Sequence, residues 1–221
     1  MRHIDFEVDR AHARSVNQTL GDMRRLQFSS ALVALALVAG AVGLFFVGRA
    51  WATVLGFVLV AGAVTCVWLV LWVPRKVGSI DDLYRDNPVV PAVVGALQPR
   101  GVTLLSLLDV AKPGNEPKYA LVTRNIARRP LQRLRVGDRV PAVALCNDRS
   151  RHSTDDTWEM VTIMPIEWGT RDAGVLARAE AEIPAVEWDF LASRIDETEA
   201  IRTSRLTRQL IPADEWPDEL R

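Results

Sequence analysis

Residues 29–47 and 52–73 are two apolar runs separated only by Gly48-Arg49-Ala50-Trp51. Neither run contains an Asp, Glu, Lys, Arg or His. A helix rises about 1.5 Å per residue, so about 20 such residues cross a bilayer core about 30 Å thick. The short gap admits only a tight turn, and the pattern predicts a transmembrane helical hairpin. Residues 1–28 form an arm ahead of it. There His3-Ile4-Asp5-Phe6-Glu7-Val8 alternates in polarity like a half-buried strand, and a polar helical stretch follows from about residue 9.

Residues 74–87 read as a juxtamembrane linker with a helical turn at Asp81-Asp82-Leu83-Tyr84. Beyond it the period becomes that of strands. Residues 89–97 (interrupted by Pro91), 102–110 and 119–126 are apolar runs, the last two joined by the turn Lys112-Pro113-Gly114-Asn115-Glu116-Pro117. Two more strands are expected over 136–146 and 158–168. After Gly169-Thr170 the apolar spacing is helical, with Val175, Leu176, Ala179 and Ile183 on one face. Pro184 opens a second helix that turns Trp188, Leu191, Ile195 and Ile201 inward, continuing through Leu206 and Leu210 to Pro212. The expected architecture is α+β: a hairpin, then a small antiparallel β-sheet or partly closed barrel at residues 88–211 with its helices at the C-terminal end, and an acidic tail at 212–221.

Charge orients this plan. Arg24-Arg25 precede the first span and Arg75-Lys76 follow the second, whereas the loop between them carries only Arg49. By the positive-inside rule both termini and the C-terminal domain face the cytoplasm. Trp51, Trp68 and Trp72 sit where interfacial aromatics anchor a span. Small residues four apart (Ala36/Gly40, Ala39/Gly43, Ala52/Gly56) suit close helix packing, within the hairpin or across a homodimer. With no charge inside either span, channel and proton-relay roles lack their chemistry.

The chain balances 27 basic against 27 acidic residues, but unevenly along its length. Residues 100–151 are basic, and the sequence after Asp155 is acidic, ending in Asp214-Glu215-Trp216-Pro217-Asp218-Glu219. Arg124, Arg128, Arg129, Arg133, Arg135 and Arg139 fall within sixteen residues. Guanidinium groups brought together in this way grip phosphate, so anionic lipid head groups, or a phosphate-bearing small molecule such as CoA or acyl-CoA, are the ligands this stretch suits. The same arginines can instead pair with the acidic C-terminal helices. The stretch lacks interleaved aromatics, which argues against nucleic acid. Trp168 and Thr170 are expected to close the sheet and to cap the following helix, or to line a pocket beside the arginines.

Catalytic patterns are missing. There is no Gly-rich phosphate loop, His-Glu-x-x-His, nucleophile elbow or Cys-x-x-Cys. Cys66 and Cys146 have no partner at disulfide or metal spacing. His152, in a loop with Ser153, Asp155 and Asp156, is the one histidine beyond the arm, and adjacent loop residues rarely meet in triad geometry.

The hairpin, together with Val136-Gly137-Asp138-Arg139-Val140-Pro141 and Met164-Pro165-Ile166-Glu167-Trp168-Gly169-Thr170, resembles a family of two-span membrane proteins of mycolic-acid-producing actinobacteria, of corynebacterial and mycobacterial type. That resemblance implies an inner-membrane setting in a lipid-rich envelope and assigns no catalytic residue. The expected function is a non-enzymatic, membrane-anchored binding or regulatory protein in envelope lipid metabolism, engaging a phosphate-bearing ligand or a protein partner. The alternatives are an acyl- or phospho-transferase using the same basic pocket, and a scaffold that recruits envelope enzymes.

Overall fold

The computed structural model describes residues 2–16, 18–77, 80–99, 101–127, 134–148 and 153–217. The chain divides into two compact units, Asn17–Ser79 and a discontinuous one of Met1–Val16 with Ile80–Arg221.

The first unit is a pair of helices, α2 (Gln18–Phe46) and α3 (Ala50–Val77), joined by residues 47–49. Gly48 takes the left-handed φ of 67° that reverses the chain. The helices run antiparallel, with Gly62 packed by Leu37, Gly40 by Leu59 and Gly56 by Phe45. Ala34, Ala41, Ala52, Gly56 and Ala63 are buried among the described residues of this pair. Ala36, Ala39 and Gly43 lie on exposed positions instead, so of the small-residue pairs the hairpin uses chiefly Ala52/Gly56. Two candidate membrane spans, Phe28–Phe46 and Ala50–Trp68, occupy these helices. Leu32, Leu35, Val38, Val54, Phe57, Val58 and Val64 all point outward. Such an apolar surface matches a lipid solvent and would be unstable in water. Each helix runs past its span, and α3 continues as helix through Pro74 to Val77, where the sequence suggests a linker.

The second unit is α+β, and its described residues form seven strands in two antiparallel sheets that do not close into a barrel. Its strands are β1 (Val89–Val90), β2 (Ala92–Gln98), β3 (Gly101–Asp109), β4 (Tyr119–Ala127), β5 (Ala142–Asn147), β6 (Met160–Pro165) and β7 (Arg208–Leu210). One sheet has the order β1-β5-β6 and the other β2-β3-β4-β7. Pro91 divides β1 from β2 because it has no N–H to offer a ladder, and the Ser106 hydroxyl donates to its carbonyl at 2.6 Å. The strand therefore leaves one sheet and enters the other at Pro91. Residues 137–140 stay beside β2 through Val94 N–H to Asp138 O and Val140 N–H to Ala92 O. Every residue of β3 except Asp109 is buried, as expected of a strand covered on both faces.

Local chemistry fixes the turns. Asp109 ends β3 by accepting the N–H groups of Ala111 and Lys118, both at 2.9 Å, and Gly114 supplies a φ of 90° in the hairpin turn. In β2 the register slips between Val94 and Ala96. Gly95 fills that bulge because Thr198 lies over it, and a Cβ there would sit 2.2 Å from the Thr198 hydroxyl.

Three α-helices lie between β6 and β7: α5 (Ala173–Ala181), α6 (Ala185–Ser193) and α7 (Thr198–Thr203). Val175, Ala179, Ile183, Trp188, Leu191 and Ile201 are buried, as the spacing predicts. Two expectations fail here. The N-cap of α5 is Asp172, which accepts the Gly174 N–H at 2.7 Å, while Thr170 accepts the Asp172 N–H one step earlier. The long second helix ends at Ser193, and residues 208–210 are strand, paired to β4 at Leu121↔Gln209. Residues 213–217 fold back on the domain: Trp216 stacks edge-on against Tyr119 at 5.0 Å and donates to Ile211 O at 2.9 Å.

The arm belongs to this second unit. Ile4 and Val8 are buried and Asp5 and Glu7 exposed, so the alternation identifies the inward side correctly. Residues 2–9 nevertheless form no strand, since the backbone makes only isolated bonds, Val89 N–H to Arg2 O and Asp9 N–H to Gly169 O, each 2.8 Å. Asp9 then accepts the His12 N–H at 2.9 Å and starts the short helix α1 (Arg10–Val16). Facing it, α4 (Ile80–Arg85) contributes Tyr84, whose hydroxyl donates to Pro165 O at 3.0 Å, and Asp81, which pairs with Arg10 at 3.0 Å. The backbone of Gly169 lies close under the Phe6 and Tyr84 rings, with room for no side chain.

Candidate functional site

The arginine stretch resolves into separate roles. Arg124, on β4, is half-buried, and its guanidinium lies 5.1 Å from the ring of Trp168. It donates to Ile163 O on β6, and Arg208 from β7 likewise donates to Trp158 O. Two guanidinium groups thus hold carbonyls across the gap between the sheets that strand pairing leaves open. Burial pulls the Arg124 guanidinium below its ordinary pKa, a sign of how far it has left water.

Arg139 lies over the second buried indole, Trp188, at 5.3 Å and pairs with Glu180 of α5 at 3.5 Å. Arg135 is exposed in a turn where its N–H meets Asp138 at 2.7 Å. Arg128, Arg129 and Arg133 lie outside the described residues, as does His152. Trp168 and Thr170 are both buried, in the 3-10 turn that ends β6 and just after it. The described arginines of the set therefore engage two different indoles and one turn, and Arg124 meets Trp168, another member of the candidate set.

Between Trp168 and the arm is a compact polar group. Arg171 Nε donates to His12 Nδ1 at 2.9 Å, which leaves His12 Nε2 as the donor to Glu167 O, also at 2.9 Å. Burial pushes the Glu167 carboxyl above its ordinary value of 4.5, offset by nearby His12. A raised folded-state pKa means that ionising Glu167 opposes folding, so stability falls as pH rises from 4.5 through the folded value. Glu167→Gln removes that loss. The variant should be more stable than the parent at about pH 7, and the difference should vanish below about pH 4, as read from paired denaturation curves.

The structure also presents a site that the arginine pattern does not indicate. Where β1 and β3 part beyond Pro91, a cavity of about 330 Å³ opens. Val89, Val90, Leu107 and Leu108 form its apolar floor, and Arg2, Asp109, Tyr119 and Glu187 its polar wall. Glu187 is only 4% exposed and takes Arg2 on both carboxylate oxygens, at 2.8 and 2.7 Å. Burial, together with Asp109 and Glu187, pushes the Tyr119 hydroxyl up, and Arg2 draws it back. One sequence signal for this wall exists. Glu187 stands four residues before Leu191, on the inward face that Trp188 and Leu191 define, where a carboxylate requires a partner.

Comparison with known proteins adds the family. Residues 75–199, more than half of the chain, match a family described as proteins of unknown function, DUF3239. The chain belongs to the DUF3239 family. The match covers most of the second unit from α4 into α7, and so includes Arg124, Trp168 and Glu187 but not Arg2. A crystal structure of a candidate membrane protein from Corynebacterium diphtheriae is similar, with 33% identity and a TM-score of 0.50. The similarity spans 56% of this DUF3239 chain and 99% of that one. No curated protein matches the chain.

Proposed function

We propose that this DUF3239 protein is a two-span inner-membrane protein of a mycolic-acid-producing actinobacterium, whose arm and C-terminal domain form one cytoplasmic binding unit. The observation that carries the topology is the composition of that unit. Residues on both flanks of the hairpin, 2–16 and 80 onward, share one hydrophobic core through Ile4, Val8, Ala13 and Tyr84. Segments that share a core lie on the same side of a bilayer, so the hairpin must cross it an even number of times. The basic flanks Arg24-Arg25 and Arg75-Lys76 then favour the cytoplasmic side. Similarity to the C. diphtheriae protein supports the source and the membrane setting.

Cysteines placed at Arg49, Glu7 and Glu116 test this arrangement, since Glu7 and Glu116 are exposed. In intact spheroplasts an impermeant thiol reagent should label the position-49 variant, whereas positions 7 and 116 should label only after lysis. Native Cys146 is a suitable quiet background, because burial pushes its thiol up to about 11. Labelling of position 116 in intact spheroplasts overturns the orientation, and opposite behaviour of positions 7 and 116 overturns the shared unit.

The role of the unit is binding, to a phosphate-bearing ligand such as an acyl-CoA or an envelope-lipid precursor. With Arg124 and Arg139 engaged on Trp168 and Trp188, the cations assigned to this ligand are Arg128, Arg129, Arg133 and Arg135. The full chain in detergent micelles should melt higher with the cognate ligand, by about 2.7 kcal/mol of stability at 100 times its Kd. Charge reversal at Arg128 and Arg133 should abolish that shift. If acyl-CoAs, nucleotides and phospholipid head groups all fail to shift the melt, the ligand reading falls.

A further inference from the structure

The cavity beside Glu187 selects a charge opposite to phosphate. Its wall carries two carboxylates, Asp109 and Glu187, and one cation, Arg2. Arg2 is 185 residues from its partner in sequence and lies near the tip of the arm, while the rest of the wall comes from β1, β3, β4 and α6. With the arm withdrawn, the cavity would present two carboxylates and a phenol above an apolar floor. Asp109 is held in place by two backbone N–H groups through one oxygen, and Glu187 by its place on α6, so neither carboxylate depends on Arg2 for its position.

The manner in which Arg2 is held specifies the ligand. Nη1 reaches one oxygen of Glu187 and Nη2 the other, the two-pronged geometry that guanidinium fits and ammonium does not. Tyr119 borders the same space. The backbone reinforces the arm as an occupant, since the Arg2 carbonyl takes the Val89 N–H at the cavity edge.

We propose that this cavity is a guanidinium-binding site whose resident occupant is the chain's own Arg2, and that it takes the guanidinium group of another molecule when the tip of the arm is withdrawn. Tethering gives Arg2 an effective concentration of order millimolar, so it excludes weak external competitors until the arm moves. Guanidinium binding at the cavity does not depend on phosphate binding by the arginines at 128–135.

The test uses the full chain in detergent micelles with Arg2→Ala, and with Arg2→Lys as a milder variant that keeps a charge beside Glu187. Agmatine is the small-molecule probe and a peptide of residues 2–8 the polypeptide probe. Either variant should melt lower than the parent, and agmatine should restore the melt saturably, with an apparent Kd at least tenfold tighter than in the parent. Putrescine, which replaces guanidinium by ammonium, should be at least tenfold weaker. Adding Glu187→Gln should abolish the response. Rescue by both probes assigns the site to guanidinium alone, and rescue by the peptide only assigns its ligand to a polypeptide arginine. Rescue by neither, equal rescue by putrescine, or rescue that survives Glu187→Gln overturns the proposal.

Discussion

Truncating Arg124 to alanine is expected to lower the stability of the second unit by about 2–4 kcal/mol, measured by chemical denaturation of the full chain in micelles. Two losses add. A charge-assisted bond to the Ile163 carbonyl disappears, and bonds of that kind contribute about 1.5–3 kcal/mol. The stacking on Trp168 goes as well, and a desolvated cation–π contact is worth up to about 2 kcal/mol. Removing a buried charge also removes its desolvation cost, which keeps the total below the sum of the upper values. Arg124→Met, which fills most of the volume without charge, should recover part of the loss. Arg124→Lys should recover less than a conservative change suggests, because an ammonium lacks the planar face that lies over the indole. The experiment also divides the arginine stretch by role. Arg124→Ala should unfold the protein more easily, while Arg135→Ala, at an exposed turn, should leave the melt alone.

The second large effect belongs to Trp168. Among the described residues it heads the fully buried side chains by volume, with no exposed surface. Trp168→Ala should cost about 3–5 kcal/mol through lost transfer energy and the cavity left behind. Its indole N–H finds no acceptor among the described residues, so Trp168→Phe keeps the ring while shedding an unsatisfied donor. That variant should therefore cost much less than alanine. The losses at Arg124 and Trp168 should not add, since each residue is the other's partner. A double-mutant cycle should return a coupling of about 0.5–3 kcal/mol, and strict additivity would show that the stacking is without energetic weight.

How far the fold was legible follows from the range of the interactions that make it. The hairpin is written in composition, because nothing but lipid or a large core accepts about twenty uncharged residues twice over. Strands β2, β3 and β4 were legible from β-type apolar runs and from the turn at Lys112-Pro113-Gly114. Strand β7 was not. Its three residues hold their conformation only by pairing with β4, nearly ninety positions earlier, and leave no local period to detect. In the arm, alternation revealed which side chains turn inward, but no periodicity could say that their backbone lacks a ladder to join. Thr170 and Asp172 are both good caps two residues apart, and the choice between them rests on where the 3-10 turn at Ile166–Trp168 ends. Six arginines in sixteen residues looked alike, and only tertiary packing separates Arg124 beneath the sheets from Arg135 in water. Glu187 was visible as a carboxylate on an apolar helix face, but its partner at the far end of the chain was not.

The discontinuous unit imposes an order on synthesis. Residues 2–16 leave the ribosome before the two spans, and the strands that must receive them come after. In the proposed two-span topology the domain finishes its core only when both spans have inserted and returned the chain to the side where the arm waits. A span misplaced in that topology would leave Ile4, Phe6 and Val8 across the bilayer from Tyr84 and Gly169. Packing the arm into the domain would then make completion of the fold a readout of membrane insertion.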